Sequence, residues 1–119
     1  MHAKKESISP EKLLKEVDFS KLNGLIPAVT QDKKTKEILM LGFMNKEALE
    51  KTLQEKRVTY FSRTRNSLWT KGETSGNVQA VKEISLDCDN DSLLIKVKQK
   101  GNVCHTGKST CFFKEVLEK

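Results

Sequence analysis

The sequence predicts an α+β fold that is mainly antiparallel β-sheet with a few short helices. Runs of apolar, β-branched and aromatic residues alternate with short polar turns, as is typical of antiparallel strands. Two segments have the spacing of an amphipathic helix. Because the 119 residues contain no repeat, low-complexity tract or linker, we expect one domain over 1–119, with a helical lead-in over 1–20 and a core over 24–113.

A short helix and a hairpin are predicted first. The residues SPE at 9–11 combine an N-cap, a first-turn proline and an acidic residue, so a helix is expected to run to about Val17. The segment LIPAVTQD predicts a strand with Pro27 at an edge or a bulge, since proline cannot donate to a ladder. The polar turn DKKTKE then leads to a second apolar strand, ILMLGFM.

One more helix and three strands are predicted after the hairpin. Asn45 can cap a helix over KEALEKTLQEK. RVTYFSR predicts a strand that ends at the polar turn TRNS, and KGETSGN predicts an ordered loop because it is rich in Gly, Ser and Thr. VQAVKEISLDCD and LLIKVKQK predict two strands around an NDS turn, and the tail CFFKEVLEK predicts a short strand or helix.

The charge balance favours anionic partners. Lysine and arginine outnumber aspartate and glutamate by 22 to 16, a net charge of +6, which suits nucleic acid or a phosphorylated small molecule. A solvated basic surface is the alternative. The lysines are dispersed and aromatic residues are few, so nucleic acid is not expected as a partner.

The N-terminus predicts a cytoplasmic protein. MHAKKESISP lacks the apolar region of a signal peptide, and no apolar run in the sequence reaches the roughly 18 residues of a membrane span. No membrane partner is therefore expected.

The three cysteines, Cys88, Cys104 and Cys111, are candidates for metal binding. Cytoplasmic thiols stay reduced, and three cysteines cannot all pair within one chain. Because no C-x-x-C knuckle is present, the spacing favours a catalytic zinc that keeps a position for water over a structural zinc ribbon. His105 can fill that position or act as a base beside it. The alternative is that the cysteines are small buried apolar residues.

The segment GNVCHTGKSTC also resembles the end of a phosphate-binding P-loop. A P-loop has a fixed spacing between its glycines, because its N–H groups must surround the phosphates. Gly101 and Gly107 are separated by five residues, one too many, and few residues follow for the helix and strands of such a fold. We therefore expect no P-loop, although Lys108 can meet a phosphate through its charge.

The segment DCDND at 87–91 is an acidic island in a basic chain. On an extended backbone Asp87 and Asp89 project from one face and Cys88 from the other, while Asp91 at the turn can approach the pair. Converging carboxylates repel one another unless a cation neutralises them, and oxygen ligands suit Mg²⁺ or Ca²⁺. The alternative is a solvated turn, in which Asp and Asn are common.

The segment SRTRNSLWTKGETSG has the composition of a nucleotide-binding loop. Its arginines can form bidentate pairs with phosphate, its tryptophan offers a flat face to a base or sugar, and its hydroxyl and N–H groups can meet an anion. A surface loop fixed by a half-buried tryptophan is the alternative. The candidate substrate contacts are Arg63, Arg65, Trp69, Lys71, Glu73, Thr74, Ser75, Gly76 and Lys108.

Together, these segments resemble the phosphoribosyl-AMP cyclohydrolases, which open the adenine ring in histidine biosynthesis. The resemblance rests on LMLGFMN, SRTRNSLWTKGETSGNVQAV, DCDNDSLL and CHTGKSTCFF, and it covers about residues 24–113. Some relatives carry a fused pyrophosphohydrolase domain that this sequence lacks, so catalysis of one step is expected.

The resemblance implies two metal sites and a shared active site. Zinc would be held by Cys88, Cys104 and Cys111, and Mg²⁺ by Asp87, Asp89 and Asp91. The family forms an intertwined homodimer with one zinc per subunit, in which Cys88 comes from one subunit and the other two cysteines from its partner.

The resemblance also implies the reaction. Zinc-activated water would hydrolyse the N1–C6 bond of 1-(5-phosphoribosyl)-AMP, a phosphorylated nucleotide, to the formimino-carboxamide ribotide, the third step of histidine biosynthesis. His105 would be the catalytic residue, as a base or as an extra zinc ligand.

Two other classes of function remain open from the residues alone. A non-catalytic, zinc-stabilised nucleic-acid-binding module would suit the net charge of +6. A small dimeric structural domain would use its cysteines only as core residues. Metal analysis separates the three classes: about one zinc per chain with no requirement for a second metal would suit the module, no zinc would suit the structural domain, and the cyclohydrolase would need both zinc and Mg²⁺.

Overall fold

The computed structural model describes residues 6–117, which form two helices and six strands and confirm the α+β prediction. In chain order these are α1 (Pro10–Glu16), β1 (Ile26–Asp32), β2 (Ile38–Met44), α2 (Lys46–Glu55), β3 (Thr59–Ser62), β4 (Ser67–Thr70), β5 (Gln79–Leu86) and β6 (Leu93–Gln99). In the described part of the chain, neither helix has the length and apolar character needed to cross a membrane.

The strands form a four-stranded sheet in the order β2-β1-β6-β5 and a separate β3-β4 hairpin. The β1-β2 and β5-β6 pairs are antiparallel, as predicted. β1 and β6 pair in parallel, because the chain crosses over through α2 and the β3-β4 hairpin before it returns. This order places β2 and β5 at opposite edges of the sheet.

Both helices begin at the predicted caps. The Ser9 hydroxyl accepts a hydrogen bond from the Lys12 N–H at 3.1 Å, and the Asn45 side chain accepts one from the Ala48 N–H at 2.8 Å. Such caps satisfy N–H groups that have no partner inside the helix, and each stabilises by about 1 kcal/mol. α2 ends at Lys56, which adopts a left-handed conformation with φ of 59°.

The core lies on one face of the four-stranded sheet. Alternate strand residues such as Ile26, Ala28, Ile95 and Val97 are fully buried there. Apolar side chains of α1 and α2, together with Val58 and Tyr60, complete the same cluster. Burial of each aliphatic side chain stabilises the folded chain by about 1.5–3 kcal/mol. The apolar cluster on this face therefore accounts for most of the stability of the fold.

Tyr60 links the core to the surface near the cysteines. Its hydroxyl donates to Gln79 Oε1 at 2.7 Å, and its ring lies where a Cβ on Gly42 would approach within 2.3 Å. Burial raises the pKa of Tyr60 far above its usual value, so the hydroxyl stays a neutral donor. The ring also packs on Trp69, with the ring centroids 5.0 Å apart. The core thereby fixes the position of Trp69.

Two strand predictions were wrong. Ser67–Thr70 was not expected to be a strand, yet it forms β4 and pairs with β3. Pro27 was expected at an edge or bulge, but β1 is an interior strand and its register shift lies between Thr30 and Gln31. The proline fits because the ladder with β6 begins only at Ala28, one residue later.

Two loop predictions were also wrong. Residues 87–92 form a turn, whereas Asp87, Cys88 and Asp89 were expected on an extended strand. The described part of the tail, residues 111–117, forms neither a helix nor a strand. Its backbone is instead held by β2, where the Cys111 N–H donates to the Leu39 carbonyl at 2.8 Å.

Candidate active site

A compact loop after β6 brings two cysteines together. The Cys104 N–H donates to the Lys108 carbonyl at 3.1 Å, and the Gly107 N–H donates to the Cys104 carbonyl at 2.9 Å. Cys111 is fixed by its backbone bond to β2. Within this frame both thiols line the same cleft, close enough for each to shift the pKa of the other.

The two thiols differ in their tendency to ionise. The Thr106 hydroxyl donates to Cys104 Sγ at 3.1 Å and, with the Thr106 N–H, lowers the pKa of Cys104. Partial desolvation and the neighbouring Cys104 raise the pKa of Cys111. A soft cation bound to both sulfurs would stabilise the second thiolate, so this donor pair fits two ligands of a zinc site.

A cleft of about 540 Å³ lies beside the cysteine pair. Burial lowers the pKa of Lys71, while Cys111 and Cys104 oppose this shift. The cleft therefore contains a cation beside nucleophilic sulfur. Six of the predicted site residues line it, namely Trp69, Lys71, Ser75, Cys104, His105 and Cys111.

The remaining predicted substrate contacts lie outside this cleft. The Arg63 guanidinium stacks on the Phe43 ring at 4.0 Å and borders a different cleft. Arg65 lies in the exposed β3-β4 turn. The Lys108 ammonium is 5.7 Å from the Phe113 ring centroid. Glu73, Thr74 and Gly76 are exposed in the turn beside the cleft but do not line it.

Asn77 and Asn102 line the cleft and were not predicted. Asn77 ends the segment KGETSGN, which was predicted as an ordered loop, and Asn102 lies in the segment with the cysteines. Amides are common in turns, so composition alone did not distinguish them from ordinary loop residues.

Three carboxylates converge in the 87–92 turn, as predicted. Single ligand oxygens of Asp87, Asp89 and Asp91 all lie within 4.8 Å of one another. Asp87 accepts from the Ser92 hydroxyl at 2.5 Å and from the Asp91 N–H at 2.9 Å, and these bonds lower the pKa of Asp87 to about 2. The hydrogen bond shared with Asp91 raises the pKa of Asp89. This oxygen set fits a hard cation such as Mg²⁺.

Lys21 contacts the same carboxylates. Its ammonium lies 3.0 Å from an Asp91 oxygen and 3.8 Å from an Asp89 oxygen. The lysine therefore neutralises part of the cluster's charge, and a bound divalent cation would compete with it.

Cys88 is remote from the other two cysteines within one chain. It follows β5 at one edge of the sheet, whereas Cys111 is bonded to β2 at the other edge. Three strand spacings separate these edges, a distance of about 14 Å. Cys88 borders a separate cleft of about 440 Å³ with Asp87 and Ile8. A single chain thus offers two of the three predicted zinc ligands at one place.

Comparison with known proteins gives one family. The model of the phosphoribosyl-AMP cyclohydrolase family matches residues 40–113. A phosphoribosyl-AMP cyclohydrolase of Clostridium beijerinckii is 54% identical over 105 residues, which are 88% of this chain and 96% of that protein. One of Desulforapulum autotrophicum is 59% identical over 104 residues, 87% of this chain and 83% of that protein.

A longer relative matches as well. A histidine biosynthesis bifunctional protein of Bacteroides thetaiotaomicron is 60% identical over 97 residues, which are 82% of this chain and 48% of that protein. The family match spans Lys71 and the cysteine pair, which line the cleft, and also the carboxylate turn, which lies apart from it. With that match and more than half of the aligned residues identical to those of these relatives, the chain belongs to the phosphoribosyl-AMP cyclohydrolase family.

Proposed function

We propose that the protein hydrolyses the N1–C6 bond of 1-(5-phosphoribosyl)-AMP in histidine biosynthesis. The observation that carries the proposal is the cleft, in which two adjacent thiols, a histidine, a lysine and a tryptophan meet. The substrate has complementary features. Its N1 substituent makes the adenine ring cationic and C6 electrophilic, and its two ribosyl arms carry phosphates.

The residues of the cleft have two roles, substrate binding and proton transfer. Lys71 binds a phosphate through its charge, and Trp69 offers an aromatic face to the heterocycle. Water adds its oxygen to C6 and gives up a proton to His105, which passes a proton to N1 as the N1–C6 bond breaks. Histidine is the side chain that most often transfers protons in this way. The products carry a carboxamide and a formimino group.

The cysteines and carboxylates would hold two metals. Cys104 and Cys111 of one chain, with Cys88 of a second copy, would hold zinc, which when bound supplies a Lewis acid that lowers the pKa of water from about 15.7 to about 7. The carboxylates of the 87–92 turn would hold Mg²⁺, a cation suited to phosphate.

A homodimer is part of the proposal. On the face of the sheet opposite the core, Val29, Phe43 and Leu94 are only half-buried and Leu41 is 46% exposed. An apolar sheet face of this kind is typical of an interface. A second copy is the partner that covers it and also brings a Cys88 to the cysteine pair.

Turnover of synthetic phosphoribosyl-AMP tests the proposal. With zinc and Mg²⁺ both supplied, ring opening should change the ultraviolet absorbance, and chelation of zinc should stop it. Cys111→Ser provides the matched inactive control because it removes a proposed ligand from the cleft. Absence of turnover by the zinc-loaded, folded chain would refute the assignment.

A further inference from the structure

We infer that Asn77 is a positioning residue that sets the separation between the two loops on which the cleft is built. These are the lysine loop, residues 71–77, and the cysteine loop, residues 100–111. The inference rests on the proposed function and assigns a role to a residue that the sequence prediction omitted. Asn77 is half-buried and lines the cleft between the two loops.

The Asn77 side chain packs directly on the backbone of the cysteine loop. A Cβ built on Gly101 would lie 2.2 Å from Asn77 Oδ1 and 2.7 Å from its Cγ. Gly101 also has a φ of +71°, which disfavours other residues. The Asn77 side-chain amide therefore occupies the space that a Cβ at position 101 would need. The two loops approach each other as closely as Asn77 permits.

The backbone of Asn77 is held by separate contacts. A Cβ on Gly72 would lie 2.3 Å from the Asn77 carbonyl carbon, and Gly72 has a φ of +82°. The Asn77 N–H donates to Ser75 Oγ at 3.2 Å, and Gln99 Nε2 donates to the Asn77 carbonyl at 3.2 Å. These contacts involve only the backbone of Asn77. Its side-chain amide is therefore available to separate the two loops.

The spacing matters because the substrate must reach both loops at once. Lys71, which binds a phosphate in the proposed function, begins one loop, and Cys104 and His105 belong to the other. A displacement of reacting groups by about 1 Å can lower a rate by about 100-fold. A shorter side chain at position 77 should therefore lower kcat through misalignment.

The first test compares two substitutions of Asn77. Asn77→Ala should lower kcat by about 10- to 100-fold, while zinc content per chain and Tm stay close to wild type. Asn77→Asp keeps the shape of the side chain and should restore kcat to within about threefold of wild type. An unchanged kcat in Asn77→Ala, or an equal loss in Asn77→Asp, would overturn the inference.

The second test is a double-mutant cycle with Gly101→Ala. Because both changes act on one contact, the double variant should lose no more kcat than Gly101→Ala alone. Gly24→Ala is the matched control, since Gly24 has a φ of +89° but no atom within 4 Å of an added Cβ. It introduces the backbone strain alone and should keep wild-type kcat. Independent losses that multiply in the double variant would contradict a shared contact.

Thermal unfolding separates this inference from the proposed function. Gly101→Ala should lower Tm more than Gly24→Ala does, and adding Asn77→Ala should remove that excess. A wild-type chain without turnover would refute the proposed function, and the Tm cycle would still decide whether Asn77 separates the loops. Equal Tm losses in the two glycine variants would overturn the contact itself.

Discussion

At the scale of single residues, the cysteine pair holds its two sulfurs in different environments. Thr106 lowers the pKa of Cys104, whereas desolvation and the neighbouring sulfur raise the pKa of Cys111. Two thiolates so close together repel each other unless a cation lies between them. Two sulfur ligands fill only half of a tetrahedral zinc shell, so the third cysteine matters for metal retention.

Cys88→Ser tests that third ligand. We expect the purified variant to lose activity and to bind zinc at least about 100-fold more weakly, since even changes outside the ligand shell cost 10- to 100-fold. Competition with a chromogenic chelator measures the zinc affinity. A variant that stays fully active and zinc-replete would refute the assignment of Cys88.

Lys21→Ala tests the carboxylate turn. Removing the ammonium beside Asp91 and Asp89 should strengthen divalent binding by about three- to fivefold, a modest factor because these ion pairs are partly exposed. Titration calorimetry with Mg²⁺ measures the change. Lys15→Ala, an exposed lysine on α1, is the matched control. Unchanged or weaker binding in Lys21→Ala would show that the lysine does not compete with the cation.

At the scale of elements, the β1-β2 connection is held by one carboxylate. Asp32 accepts hydrogen bonds from the N–H groups of Thr35 and Lys34, both at 2.9 Å. These bonds, first that of Thr35 and then that of Lys34, lower the pKa of Asp32. The carboxylate thus stabilises the turn that sets the register of the hairpin.

The pH dependence of this contribution follows from the direction of the shift. A carboxyl whose pKa is lower in the folded chain stabilises it above the unfolded pKa of about 3.9, and the effect is lost as pH falls through the folded pKa. Asp32→Asn should therefore lower Tm by about 2 °C at pH 7. The difference from wild type should shrink as the pH is lowered, as calorimetric scans from pH 7 to pH 2.5 can show. A constant difference across that range would contradict the ionic origin.

Local chemistry explains which elements the sequence could predict. The helix caps at Ser9 and Asn45 and the two hairpins depend on neighbouring residues, and the structure confirms them. β4 was missed because its strand character comes from pairing with β3, where Tyr60 meets Trp69. Likewise, Pro27 looked like an edge residue because only the sheet order reveals where the ladder with β6 begins.

In the candidate site, too, local features could be predicted from the sequence and long-range contacts could not. The cysteine pair and the carboxylates are close in sequence, so their convergence could be predicted from spacing and residue type. The distant contacts could not be predicted. Lys21 reaches the turn from a remote segment, and Arg63 stacks on Phe43, which is distant in sequence. Asn77 gives a signal only through the two glycines that pack on it.

At the scale of the whole molecule, the sheet keeps the parts of the proposed zinc site apart. Cys88 lies at the β5 edge and Cys111 at the β2 edge, so within one chain the three sulfurs do not meet. The half-buried apolar face around Leu41 offers a surface on which a second copy can pack. One association would then cover apolar area and complete the metal site, so activity and dimerisation are expected to depend on each other.

Subunit complementation tests this central claim most directly. Cys88→Ser and Cys111→Ser chains should each be inactive with phosphoribosyl-AMP. After unfolding and joint refolding, half of the dimers should be hybrids with one intact site, which restores about a quarter of wild-type activity per chain. Differently tagged chains confirm the exchange. Recovery of that activity is the predicted result, and its absence from a proven hybrid would contradict a site shared between two copies.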